Sequence, residues 1–163
     1  MQKLSWREKY AGILVLVISI IFLLMQLAAL FGERSRPYTI QNGTFVINSN
    51  EFYSDIKAYS VILAGIIAGW CLLKGKRLGW VLGLPILLFI TVIIGTMTVE
   101  QAWKLKKFDN SLTGFSVGIF LVALAIIFLL LPSARQKYRV SKVIAFLTLL
   151  LFMGLVGAYY FLQ

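Results

Sequence analysis

The chain has 163 residues, 60% of them hydrophobic, with 16 basic residues against 6 acidic ones and a formal net charge of +10. A mean hydropathy of +0.89 excludes an ordinary water-soluble fold, whose segments would need polar faces where these are apolar all round. One cysteine, Cys71, and no histidine exclude an intrachain disulfide, a Cys-based metal cage and the common zinc and haem sites, so no cofactor and no metal is expected.

A hydrocarbon core of roughly 30 Å needs about 20 apolar residues per helical crossing. The expected fold class is an all-α polytopic membrane protein, a single domain over 1–163, with five transmembrane helices and a small outer β-hairpin between the first two. The crossings are Ala11–Phe31, Ala58–Leu73, Leu78–Thr98, Gly114–Leu131 and Val143–Leu162, and none contains Asp, Glu, Lys, Arg or His. Ionisable groups at membrane depth are the usual markers of ion, proton and substrate pathways, and these runs lack them.

The first run carries Lys3, Arg7 and Lys9 before it and Leu27-Ala28-Ala29 near its end, as a signal peptide would. Its apolar stretch is about twice as long as a typical signal-peptide core, which predicts an uncleaved anchor. Gln26 within it needs a partner for its amide, across helices or near the outer interface.

The longest connection, residues 32–57, holds Tyr38-Thr39-Ile40-Gln41-Asn42-Gly43-Thr44-Phe45-Val46-Ile47. Asn-Gly between two alternating runs predicts a hairpin pairing Gln41 with Thr44, with Tyr38, Ile40, Phe45 and Ile47 on one apolar face. That face either lies on the outer ends of the protein's own helices or receives a partner chain. Asn42-Gly43-Thr44 also fits a glycosylation sequon, although the turn is sufficient reason for it. Asn48-Ser49-Asn50 reads as a turn and N-cap, after which Glu51 and Asp55 are expected as solvated partners of the helix dipole.

In the second crossing Gly65 and Gly69, flanked by Ala64 and Ala68, form a GxxxG pair that lets another helix approach closely. Gly154 with Ala158, or Gly157, offers the same in the fifth crossing. The connection Lys74-Gly75-Lys76-Arg77 is so short that the second and third crossings must be antiparallel neighbours, and Pro85 predicts a local kink in the third. Beyond it, Glu100–Phe108 reads as an interfacial extension anchored by Trp103, Lys104, Lys106 and Lys107. The aromatic residues Trp6, Tyr10, Trp70, Trp80, Trp103, Tyr159 and Tyr160 fall at expected membrane edges.

With the N-terminus inside, the inner segments carry Lys3, Arg7, Lys9, Lys74, Lys76, Arg77, Arg135, Lys137, Arg139 and Lys142, and only Glu8 is acidic there. The outer segments carry six basic residues, Arg34, Arg36, Lys57, Lys104, Lys106 and Lys107, offset by Glu33, Glu51, Asp55, Glu100 and Asp109. This asymmetry predicts a cytoplasmic N-terminus and an outer C-terminus, in a bacterial inner membrane. Nucleic acid is not an expected partner, because topology already accounts for the basic loops.

No catalytic residue is nominated, since general acid–base or metal groups near an interface are confined to the outer carboxylates. The expectation is a non-catalytic accessory or scaffolding subunit, embedded in the lipid bilayer and docking a membrane-protein partner or its own copies through helix faces and the hairpin. A small oligomeric transporter or channel, and an enzyme acting on lipid or quinone, are the alternatives. The order of crossing, outer hairpin and helical bundle resembles claudin-like proteins in architecture alone, because the tryptophan and paired cysteines of their first outer loop are absent.

Overall fold

Helices begin and end where the apolar runs meet polar flanks, because backbone groups in hydrocarbon have to be satisfied within the segment itself. The computed structural model describes the backbone at 5–31, 38–41, 44–47, 49–105 and 110–161, and side chains at 5–29, 55–96, 98–99, 114 and 116–160. In chain order the elements are α1 (Trp6–Phe31), β1 (Tyr38–Gln41), β2 (Thr44–Ile47), α2 (Ser49–Leu73), α3 (Arg77–Leu105), α4 (Asn110–Leu130), α5 (Pro132–Lys137) and α6 (Lys142–Phe161).

Two features of the expected fold class are corrected. Four described helices, not five, are long and apolar enough to cross a membrane: Trp6–Ala29, Asp55–Leu73, Arg77–Thr96 and Lys142–Tyr160. Within α4 the described apolar part is Ser116–Leu130. Apart from β1 and β2, the described architecture is helical. Strand pairing is confined to β1 and β2, four residue pairs running antiparallel from Tyr38 opposite Ile47 to Gln41 opposite Thr44, and no third strand joins them among the described residues. The apolar face assigned to Tyr38, Ile40, Phe45 and Ile47 lies outside the described side chains.

Helix α5 was not legible as a separate element. Pro132 sits in its first turn, where its missing N–H costs nothing, and it holds the preceding Leu131 extended at φ −55°, ψ 142°. The long apolar run therefore breaks at Leu131 and the chain turns before α6.

α3 is the axis of the bundle, packing against α2, α4 and α6, while α1 packs against α2 and α4. Half of the spanning part of α3 is buried inside the protein, against 6% for α6. Ala11 and Val15 of α1, Ala68 and Leu72 of α2, Leu84 and Leu87 of α3, and Val122, Ala125 and Leu129 of α4 form one continuous core. Trp80, expected at a membrane edge, is instead in that core, 2% exposed, and donates its indole N–H to the carbonyl of Leu129 at 2.9 Å. A buried indole needs such a partner, which the unpaired carbonyls at the end of α4 supply.

The α1–α2 seam is made by absent side chains. A Cβ on Gly69 would lie 2.9 Å from Leu16 Cγ and 3.0 Å from the carbonyl oxygen of Gly12, and one on Gly65 would lie within van der Waals overlap of the Ser19 hydroxyl. Ala68 is fully buried beside them, and Ala64 packs against the core. The expectation for α6 needs correction: around Gly154 and Gly157 an added Cβ meets nothing within 4 Å, so neither makes a close contact inside the protomer, and Ala158 is only half-buried. α6 rests on α3 through larger groups, such as the edge-on contact of Phe89 and Tyr159.

Candidate functional site

The polar chemistry concentrates at the end of the bundle where α1, α3 and α6 begin. Ser5-Trp6-Arg7-Glu8 is a capping box: the Ser5 backbone N–H donates to Glu8 Oε2 at 2.9 Å, at the positive end of the α1 dipole. The Glu8 carboxylate is 4% exposed and also accepts from the Lys137 ammonium, in the last turn of α5. A carboxylate taken out of water is tolerable only with such compensation. This pair, which joins residues 129 apart, was not anticipated. The S-x-x-E spacing was the available signal, but it marks only the cap and says nothing of the lysine.

Next to it, Tyr138 ends α5 with its ring 1% exposed, and its hydroxyl donates a long bond, 3.5 Å, to the carbonyl of Leu72. Burial, and secondarily the negative charge of Glu8, hold the Tyr138 phenol well above its ordinary pKa of 10.0. Above pH 10.0 the unfolded phenol loses its proton while the folded one keeps it, so stability contributed by burying the neutral ring is complete below that pH and declines above it. Thermal unfolding between about pH 9 and 11 is expected to fall more steeply for the native protein than for Tyr138→Phe; parallel curves would reject the assignment.

Two helix ends face each other here with the same geometry. α2 closes with Gly75 at φ 65°, the Gly75 N–H bonding Leu72 O and the Lys76 N–H bonding Cys71 O, both at 2.9 Å. α5 closes with Arg139 at φ 48°, its N–H bonding Gln136 O at 3.0 Å and that of Val140 bonding Arg135 O at 2.9 Å. Both are Schellman motifs, in which glycine is the usual residue at the left-handed position. Arginine there carries a penalty of roughly 1–2 kcal/mol. The two ends are tied together by Arg77, whose Nε donates to the carbonyl of Tyr138 at 3.2 Å.

On the outside of this cluster, Trp6, Tyr10 and Phe128 make mutual ring contacts, Arg7 lies 5.9 Å from the Phe128 ring centre, and the Tyr10 hydroxyl donates to Leu121 O at 3.3 Å. Lys74 stands 4.7 Å over the exposed Trp70 ring. Toward the opposite end, Gln26 Nε2 donates to Asp55 Oδ1 at 3.0 Å, so Asp55 is a cross-helix acceptor rather than a purely solvated carboxylate. Of the expected interfacial anchors, Trp103 and Lys104 lie in the final turn of α3 with their side chains undescribed, and Lys106 and Lys107 lie outside the described residues.

An open apolar groove of about 590 Å³ runs between α3 and α6, lined by Leu88, Thr91, Val92, Gly95, Thr96, Val99 and Phe152. Its threonine hydroxyls are turned back onto their own helix, Thr91 to Leu87 O and Thr96 to Ile93 O, both at 2.9 Å. Such a surface suits packing rather than polar recognition. Comparison with protein families, curated proteins and solved structures finds no match to this chain. The fold and this end of the bundle define a largely helical protein with, among the described residues, four helices long and apolar enough to cross a membrane.

Proposed function

We propose that the chain is a non-catalytic accessory or scaffolding subunit of a bacterial inner membrane, with a cytoplasmic N-terminus and an outer C-terminus, and that it docks a partner helix along α6. One observation carries the reading. Val143, Leu147, Leu150, Gly154 and Gly157 recur at alternating spacings of four and three, the seam of a helix that packs on another helix. Val143, Leu147 and Leu150 are 67%, 52% and 57% exposed, and the two glycines have open space where a side chain would be. Exposure to lipid alone asks for no glycine, and each costs a helix roughly 0.8–1.0 kcal/mol relative to alanine. Close approach of a second backbone is the physical use for them.

The test is Gly154→Leu combined with Gly157→Leu. Both side chains enter open space, so monomer unfolding in detergent is expected to be unchanged, while chains retained through mild-detergent purification are lost. Retention of every co-purifying chain, or of the native oligomer size, rejects the reading.

A further inference from the structure

We propose that the end of the bundle where α1, α3 and α6 begin is a binding site for an anionic phospholipid headgroup, held between Arg77 and Arg139. Arg77 uses Nε to hold the carbonyl of Tyr138 at 3.2 Å, which ties its guanidinium to the residue next to Arg139, and both arginines are exposed. A planar guanidinium oriented in this way can present paired donors to a phosphate. Lys76 and Lys142 flank the two arginines in sequence and are exposed. Glu8, the acidic residue described at this end, is buried against Lys137, so it is withdrawn from the surface where these cations lie.

Positive-inside topology accounts for basic residues in these segments, but not for an arginine at the left-handed position of the α5 cap. The corresponding position of the α2 cap has the ordinary residue, Gly75. A non-glycine residue held at positive φ is the kind of outlier that clusters at ligand-binding sites. The ligand is a lipid rather than a free anion because apolar surface lies directly next to the cations: Leu78 follows Arg77 and is 53% exposed. Headgroup and acyl chains are thus both accommodated, in the manner of basic sites at helix ends.

The experiment uses the full chain in neutral detergent, doped with phosphatidylglycerol, with phosphatidylcholine or with inorganic phosphate. Bound lipid is counted by native mass spectrometry and unfolding is followed by tryptophan fluorescence. Phosphatidylglycerol is expected to remain bound and to raise the unfolding temperature, less so in high salt, whereas phosphatidylcholine and phosphate do neither. Arg77→Gln and Arg139→Gly are each expected to weaken phosphatidylglycerol binding about tenfold, and Arg7→Gln with Lys9→Gln, on α1, to leave it near native. Arg139→Gly separates the site from the fold, because it relieves the cap: its lipid-free unfolding temperature rises while its lipid binding falls. Equal retention of phosphatidylcholine, the same stabilisation by phosphate alone, an equal loss in the α1 variant, or native lipid binding by Arg139→Gly overturns the proposal. If Arg77→Gln does not fold, Arg139→Gly and the lipid comparison on the native chain decide it.

Discussion

Gly79→Ala is expected to destabilise the protein by about 3 kcal/mol or to prevent its assembly, although it adds a single methyl group. The new Cβ would lie 2.3 Å from the backbone nitrogen of Leu72 and 2.6 Å from the backbone carbon of Cys71. Those atoms belong to the closing turn of α2, whose hydrogen bonds through Gly75 and Lys76 fix it in place, so they cannot rotate away as a side chain would. Gly65→Ala is a milder case, because the Ser19 hydroxyl it meets is one rotatable group bonded back to Val15 O at 2.8 Å. Gly154→Ala is the control: with nothing within 4 Å, it is expected to be neutral or to stabilise α6 by up to about 1 kcal/mol. Thermal unfolding in one detergent ranks the three, and a Gly79→Ala protein that melts with the native one would refute the close α2–α3 contact.

Glu8→Gln is expected to cost about 3 kcal/mol, the magnitude found when one member of a buried ion pair is removed and the other stays behind. Glutamine is the informative replacement because it can still accept from the Ser5 N–H, so the cap survives while the charge is lost. The Lys137 side chain is only 15% exposed and cannot recover full hydration where it lies. Glu8→Gln combined with Lys137→Met is therefore expected to be more stable than the sum of the two single changes predicts. A double-mutant cycle measured by unfolding in detergent gives this coupling, and an additive result would mean that the pair does not stabilise the fold.

The division between what was readable in advance and what was not follows from the range of each signal. Long apolar runs report a local requirement for internally satisfied backbone, so the main helices fall close to their expected bounds, and Gly65 and Gly69 lie where small residues let two helices touch. The run Gly114–Leu131 ends where Leu131 is extended ahead of Pro132, a break between α4 and α5 that hydropathy alone does not show. The hairpin was given too much weight, since a two-residue turn signal fixes the register of four pairs and nothing beyond them. Trp80 was misplaced because tryptophan is equally suited to an interface and to a core with a free carbonyl, and only tertiary packing supplied Leu129 O. Gly154 was read as a helix-packing residue on spacing alone, and spacing identifies a face of a helix without saying what covers it. The Glu8–Lys137 pair lay beyond any local pattern, as did the approach of Arg77 to Tyr138, because both depend on how the helices are stacked.

The separation of 129 residues between Glu8 and Lys137 has a consequence for the order in which the chain is made. α1, α2 and α3 can associate as each emerges, since each packs on its predecessor. The carboxylate of Glu8 has its own cap from the start, but its ammonium partner leaves the ribosome only after α4 and most of α5. Until then the entry of α1 carries an unmatched charge that cannot settle into the core. Closure of this contact thus marks the point at which the nascent chain has delivered α5, and a product halted before residue 137 leaves an anion exposed at the start of its first helix.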